Sequence, residues 1–482
     1  MTLLVNQQEI SDIDIGMPEY WTYKSEGAMN VVLSYTGPFN ENLNGLVLRV
    51  KKQSNGGSNL EKEIELFNFV SKVMTPLLGE KYVFCGSMIN ITQDFLEKLD
   101  SLIFKQRPIT RSTIRLDTKL PVAFLIMDLT KLDSFNISID HDSILRSPVS
   151  HRLTSEQYQK QHPSHDKEKV ICIEIKPKWG FLPSNSLKYM ASETRDTKAS
   201  TCRYCMHQHL KFQENSIGDI SNYCPIDLFS GDPKRQEYSI KEMINHPQNN
   251  LKIYYNGVLS FTGSLGGGAE RDQLSNCKIL SSLLYENDII RVSSNGQEEG
   301  VENIDIHSTI DAFSKLVTII LNRETILSSI KKVQLFDEYD IEGIYYIYNK
   351  LNGNESKNQS LDISKESQDQ LNQLSTDQMK DIINRFMISC TAKDCSIMIS
   401  FTLGKSITSI QDLNTNLTFI NSLDETTNNN TDNNSSNNTV TYKIGVVDLD
   451  TKKQSAIPKY YELDREIVKT FKKSIKSIKS CK

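Results

Sequence analysis

The sequence predicts an α+β protein. Six β-branched or aromatic runs bounded by turn residues read as strands, stretches of helical periodicity fall between them in mixed order, and no internal repeat points to a solenoid or propeller. At 482 residues the chain suffices for two to four ordinary domains or for one large two-lobed enzyme.

The elements follow in order. SEGAMNVVL (25–33) is a glycine-containing turn between strands, and GLVLRVKK (45–52) is the strand after it, carrying Arg49. NLEKEIELFNFVSKVM (59–74) repeats apolar residues at helical spacing. PVAFLIMD (121–128), KVICIEIKP (169–177) and NNLKIYYNG (249–257) read as strands, as do KDCSIMISF (393–401) and VTYKIGVVDLD (440–450). Helices are expected from about residue 199, over 377–392, and over 463–479, where Ile467, Phe471, Ile475 and Ile478 pack inward and lysines face solvent. Three polar stretches, 154–169, 352–373 and 424–439, bury too little apolar surface to offset ordering entropy and are expected as disordered insertions.

Composition excludes several classes. A net charge of -5 is too small and of the wrong sign for nucleic-acid binding through an overall field, so any anion site is local. Nine cysteines, odd in number and mostly single, do not form a disulfide framework, which points to a reducing, intracellular setting in cytoplasm or nucleus. No run of 18 apolar residues occurs and the start has no signal-like pattern, so no integral membrane segment is expected.

TCRYCMHQHLK (201–211) offers four soft ligands within eight residues. On a helix, each residue advances about 100°, which leaves Cys202, Cys205 and His209 near one stripe and sends His207 to another face. Closure from this stretch alone is therefore not expected. A structural zinc site needs a further pair, and Cys224 is the nearby candidate; the C-x-x-C reads as buried packing. The same helix aligns Arg203, His207 and Lys211 four apart, either as a solvated face or as a polyanion site. In EIKPKWG, alternation points Glu174, Lys176 and Lys178 one way, Pro177 blocks ladder bonding, and Gly180 permits close approach, as in a phosphate clamp or an exposed edge. QRPITR adds Arg107 and Arg111 as bidentate phosphate donors. Asp394 precedes one strand and Asp448 ends another, positions suited to a base or metal ligand, or to capping alone.

Taken in order, EGAMNVVL, VLRVKK, QRPITR, EIKPKWGFLP, CRYCMHQHLK, PIDLFSG, PQNN, DIEG, AKDCSIMISF and VDLD with YYELD resemble the inositol-pentakisphosphate 2-kinase family, from about residue 21 to 461. The resemblance implies a two-lobed inositol phosphate kinase fold, distantly protein-kinase-like, with mixed or antiparallel sheets and helices in each lobe. An N-terminal lobe would span 1–127 and a C-terminal lobe 128–482. It implies transfer from ATP, with Mg2+, to the 2-hydroxyl of inositol 1,3,4,5,6-pentakisphosphate by a monomer. Gly27, Ala28 and Asn30 match the loop over the nucleotide phosphates, Arg49 a nucleotide-phosphate contact, Met127, Asp128 and Leu129 the adenine hinge, and Glu174 the ribose contact. Arg111, Lys176, Lys178, Lys211, Asn249, Lys452 and Tyr460 match inositol phosphate contacts, with Lys176 near the transferred group and His207 on the same helix face as Lys211. Asp394 matches the catalytic carboxylate and Asp448 the magnesium ligand.

The sequence departs from the family at Ser25, in place of the loop's first glycine, and at Ala456, in place of a basic residue. The region after DIEG lacks the zinc ligands of plant members. The first two departures leave a catalytically impaired inositol phosphate-binding scaffold as the alternative; retention of Asp394 and Asp448 argues against it.

Overall fold

The computed structural model describes residues 10–40, 42–54, 57, 59–132, 169–292, 304–414, 417–421, 439–474 and 481. It is an α+β fold of two mixed six-stranded sheets flanked by helices. The strands are β1 (Ile10–Ser11), β2 (Trp21–Glu26), β3 (Asn30–Tyr35), β4 (Leu46–Lys51), β5 (Ser87–Asn90), β6 (Val122–Met127), β7 (Ile171–Ile175), β8 (Leu251–Tyr255), β9 (Val258–Thr262), β10 (Ser396–Leu403), β11 (Thr418–Asn421) and β12 (Thr439–Val447). The first sheet runs β1-β5-β6-β4-β3-β2 and the second β11-β12-β10-β7-β8-β9. Each is antiparallel apart from one parallel edge pair, β1 with β5 and β11 with β12.

All six expected strands form, because their β-branched runs are buried on both faces or one. All five residues of β7 are buried, as a central strand requires. The first expected helix is Leu60–Phe69, running on through a π-turn at Val70–Met74. The last begins earlier than expected, at Ile457, and spans Ile457–Ser474; Ile467 and Phe471 pack on Met206 and Leu210. Ile475 and Ile478 lie outside the described residues.

Two expectations are corrected. The segment 352–373 is not a disordered insertion: it holds a 3-10 turn, Glu355–Ser360, and a helix, Lys365–Asn372, whose Leu371 joins a core cluster with Leu361 and Ile363. Its polar residues cover an apolar minority that still finds a core. The helix expected from residue 199 is two helices, Ser192–Ser200 and Arg203–Gln213, broken where Thr201 and Cys202 turn extended and the Cys202 sulfur caps the second by accepting the Cys205 N–H. Of the other two insertions, all but Lys169 and Thr439 lie outside the described residues. No helix among the described residues is long and apolar enough to cross a membrane.

The largest core joins the second sheet to the helices Pro233–Asn245, Gln273–Glu286, Ile306–Asn322 and Ile326–Gln334, and takes in Met74, Leu78 and Tyr82 from the first half of the chain. A separate cluster, including Trp21, Leu33, Leu48 and Leu99, supports the first sheet.

A buried ionic knot ties four helices together. Lys198 lies 2.6 Å from Asp340, 3.1 Å from Glu342 and 2.8 Å from Asp464, and Asp464 also receives Arg203 at 3.1 Å. Removing the ammonium leaves three buried carboxylates opposite one partly exposed guanidinium. Lys198→Met is expected to cost about 3–5 kcal/mol in urea unfolding, the scale for breaking a buried pair. A loss under about 1 kcal/mol would show the knot to be dispensable.

Candidate active site

The site is set by strand register. β10 runs antiparallel to both β7 and β12, pairing Ile397 with Ile175 and Ser396 with Val447. The start of β10 and the ends of β7 and β12 therefore meet at one edge of the sheet. Lys176 and Lys178 leave β7 there, Asp394 enters β10, and Asp448 and Asp450 leave β12. Five residues drawn from three distant segments meet at that edge.

Their charges interlock. The Lys176 Nζ is 2.6 Å from Asp448 Oδ2, which also accepts the Ser396 hydroxyl at 3.0 Å. Asp394 receives Lys452 at 2.7 Å and Lys178 at 3.8 Å. The carboxylates of Asp394 and Asp448 remain about half exposed, at 54% and 53%. Recession among protein atoms works to raise both carboxyls. For Asp394, Lys178 and Lys452 outweigh it; for Asp448, Lys176 and Ser396 do, so both lie below the usual range. Lys178 and Asp448 each adopt a left-handed backbone, φ 59° and 63°, a cost that non-glycine residues bear mostly where a side chain must be aimed.

Lys178 is held from behind. The Gln334 side chain, fully buried at the end of Ile326–Gln334, donates to the carbonyls of Lys178 (2.8 Å) and Ala392 (3.1 Å) and accepts the Gly180 N–H (2.8 Å). One amide thus couples the clamp loop to the helix Thr376–Ala392 that precedes Asp394. Gly180 is correspondingly a packing glycine: a Cβ there would stand 2.3 Å from the Phe229 ring, so its close approach is to protein and not to ligand.

The stripe on 203–213 reaches the same place. Burial, then Arg203, Lys211 and Lys178, push the His207 imidazole down to about 3, and burial followed by Arg203 lowers the Lys211 ammonium. Arg203 itself is spoken for, paired with Asp464 and stacked 5.0 Å from the Trp179 ring centre. Tyr460, on Ile457–Ser474, lies near enough to Lys452 and Asp394 to feel both charges, and burial raises its phenol. The Asn249 Oδ1 is buried with no hydrogen-bond partner among the described residues.

On the first sheet, Gly27 and Ala28 form the exposed turn between β2 and β3, closed by the Gly27 N–H to Asn30 carbonyl bond at 3.0 Å. Arg49 has only donors to offer, so the Asn30 carboxamide turns its oxygen toward it, at 2.7 and 3.1 Å. Arg49 also meets Asp450 at 2.9 Å and so bridges the two sheets. Met127 ends β6. Asp128 has its carboxylate buried against Lys24 (2.9 Å) and Thr130, its N–H on the Gly45 carbonyl, and its carbonyl 3.4 Å from Lys443. The Leu129 carbonyl accepts the Ser400 hydroxyl. Glu174 faces Lys252 directly across the ladder, at 3.0 Å, with Tyr254 at 2.9 Å and Ser396 at 3.3 Å.

Arg107 corrects an expectation. Its guanidinium is buried and grips Glu26 through Nε (3.2 Å) and Nη2 (2.8 Å), while Lys52 takes the same carboxylate at 2.7 Å. It braces the strand before the Gly27 turn and is not a free phosphate donor. Arg111 is exposed and donates to the Glu26 carbonyl. Gln334, Ser396 and Asp450 are parts of this arrangement that sequence reasoning missed. Asp450 follows Asp448 at the strand period of two, a signal that was legible; Gln334 had none.

Cations alternating with two half-exposed carboxylates where strands end make a site for phosphorylated ligands and phosphoryl transfer, the class of a small-molecule kinase. A cavity of about 290 Å³ beside His246, Gln248 and Arg271 holds none of these groups.

Comparison with known proteins names the class more closely. The family model for inositol-pentakisphosphate 2-kinase matches residues 23–466. The inositol-pentakisphosphate 2-kinase of Arabidopsis thaliana is 28% identical over 510 aligned positions, covering 99% of this chain and 97% of its own. The Danio rerio protein of the same name is 27% identical over 94% of this chain and 93% of its own. Inositol-pentakisphosphate 2-kinase IPK1 of Oryza sativa subsp. indica is 28% identical, covering 93% and 92%. The chain belongs to the inositol-pentakisphosphate 2-kinase family.

Burial pushes the Lys178 ammonium down to about 8. A bound polyphosphate favours the charged form, so above about pH 8 binding must draw in a proton, and affinity is expected to fall by up to about tenfold per pH unit. Calorimetry in two buffers of different ionisation enthalpy measures that uptake; an unchanged uptake in Lys178→Met would assign the titration elsewhere.

Proposed function

We propose that this kinase transfers the terminal phosphoryl group of ATP to the 2-hydroxyl of inositol 1,3,4,5,6-pentakisphosphate, giving inositol hexakisphosphate. The observation that carries the reading is the convergence of Lys176, Lys178 and Lys452 on Asp394 and Asp448, within a chain of this family. The first sheet with its β2–β3 turn is read as the nucleotide lobe, 1–127, and the second as the inositol phosphate lobe, 128–482, in a two-lobed, distantly protein-kinase-like arrangement.

A pentakisphosphate carries close to two negative charges per phosphate near neutrality, so it calls for a fixed array of cations more than for a basic protein. Lys178, Lys211, Lys452 and Arg111 supply that array, with His207 beside them. The unpartnered Asn249 oxygen suits a ligand hydroxyl donor, and Tyr460 a phosphate oxygen. Lys176 orients the moving phosphoryl group. Asp394 accepts the proton of the 2-hydroxyl; as phosphates draw Lys178 and Lys452 toward themselves, the carboxylate loses the two cations that hold its basicity down. Gly27, Ala28, Asn30 and Arg49 face the nucleotide phosphates, Met127 to Leu129 border adenine, and Glu174 borders the ribose.

The donor set at Asp448 fits magnesium: a half-exposed carboxylate on a left-handed residue, with Asp450 two positions on, offers the hard oxygen ligands that ion takes. Bound there with nucleotide, magnesium would neutralise phosphate charge during transfer.

One variant separates chemistry from binding. Asp394→Asn is expected to lower hexakisphosphate formation by about 10²–10⁴-fold, the range for losing a general base, while pentakisphosphate affinity changes little. Product is followed by isomer-resolved chromatography with ATP and magnesium present. Wild-type protein that binds the pentakisphosphate stoichiometrically without forming product would overturn the proposal.

A further inference from the structure

The sequence holds two tryptophans, and the fold uses them differently. Trp21 is buried in the core under the first sheet, with its indole N–H on the Ile15 carbonyl at 3.0 Å. Trp179 follows Lys178 in the segment that leaves β7, stays half-buried, and is met by two cations. The Arg203 guanidinium carbon lies 5.0 Å from its ring centre and the Lys393 ammonium 4.0 Å.

Neither cation is there as a free charge. Arg203 is paired with Asp464 at 3.1 Å, and Lys393, 3% exposed, with Asp337 at 2.6 Å. The Lys393 ammonium also lies 5.4 Å from the Phe181 ring centre and 5.2 Å from that of Phe386, so three rings and a carboxylate surround it away from solvent. Phe181 in turn stacks beside Trp179, with ring centres 6.2 Å apart and 8° between planes. The face of an aromatic ring carries the negative part of its quadrupole, and its attraction for a cation grows as water is excluded. Indole attracts most strongly of the aromatic side chains.

Position in the chain gives these contacts a use. Trp179 is the residue after Lys178, Lys393 is the residue before Asp394, and Arg203 lies about one helical turn before His207 and about two before Lys211. The indole therefore joins three segments that each carry part of the site: the clamp after β7, the entry to β10 and the 203–213 helix. The Gln334 amide ties the first two through the carbonyls of Lys178 and Ala392; Trp179 brings in the third. We propose that Trp179 is a positioning residue, which holds the Lys178 clamp and the helix bearing His207 and Lys211 in fixed relation to Asp394. This role rests on the kinase reading and deepens it on the inositol phosphate side, because Gly27, Asn30 and Arg49 belong to the first sheet and are not joined by the indole.

Two substitutions in the full-length protein test it. Trp179→Met keeps an apolar side chain and removes the ring, whereas Trp179→Phe keeps a ring of weaker attraction. Steady-state kinetics are measured with each substrate varied in turn, beside thermal unfolding. The methionine variant is expected to lose about 3–30-fold in kcat/KM for the pentakisphosphate, the rate equivalent of a desolvated cation–π contact, with KM for that substrate raised and KM for ATP unchanged. The phenylalanine variant is expected to fall between it and wild type, with a loss of about 2–5-fold. A role in stability alone would lower Tm and leave the constants of the folded enzyme where they were. Wild type that forms no hexakisphosphate ends the kinase reading itself. With wild type active, the positioning role alone is overturned if the methionine variant matches it, if both variants lose equally, or if KM for ATP rises in step. Should the methionine variant not fold, a phenylalanine variant equal to wild type has the same force.

Discussion

The antiparallel register of β7, β10 and β12 is the constraint on which the site depends. Because β10 is paired with a neighbour on each side, its start is bound to lie beside the ends of both. β7 is buried throughout and β10 over its first six residues, so a one-residue slip would exchange the side chains packed on the sheet's two faces. Lys176, Asp394 and Asp448 inherit that rigidity, and Gln334 extends it to Lys178 through three hydrogen bonds.

A chain of net charge -5 handles a polyanion by local arrangement. In the described structure every lysine at the strand ends has a carboxylate to pair with, Lys176 on Asp448 and both Lys178 and Lys452 on Asp394. These pairs offset charges that would otherwise repel one another. The helix 203–213 is treated differently. Arg203 is drawn into the buried knot around Asp464 and Lys198, yet burial and then its own positive charge still lower the pKa values of His207 and Lys211.

The two sheets are joined by contacts that involve site residues directly. Arg49 on β4 reaches Asp450 after β12, Asp128 spans Lys24 and Lys443, and the Leu129 side chain occupies the space that only a glycine at 445 leaves open, since a Cβ there would stand 2.6 Å away. The segment joining β6 to the second sheet is therefore packed from both sides.

By itself the sequence determined the strand and helix content, the placement of Asp394 and Asp448 at strand ends, the common face of His207 and Lys211, and the family. Each depends on short-range periodicity or on contiguous motifs, and backbone geometry acts over a few residues whatever lies across the fold. Only tertiary structure decided which strand ends meet, that Arg107 turns inward to Glu26, that residues 365–372 are helical, and that Cys481 arrives beside Cys202. Those outcomes follow from which apolar faces pack together, and burial is settled by the whole chain at once, so residues hundreds of positions apart carry no local sign that they will be neighbours.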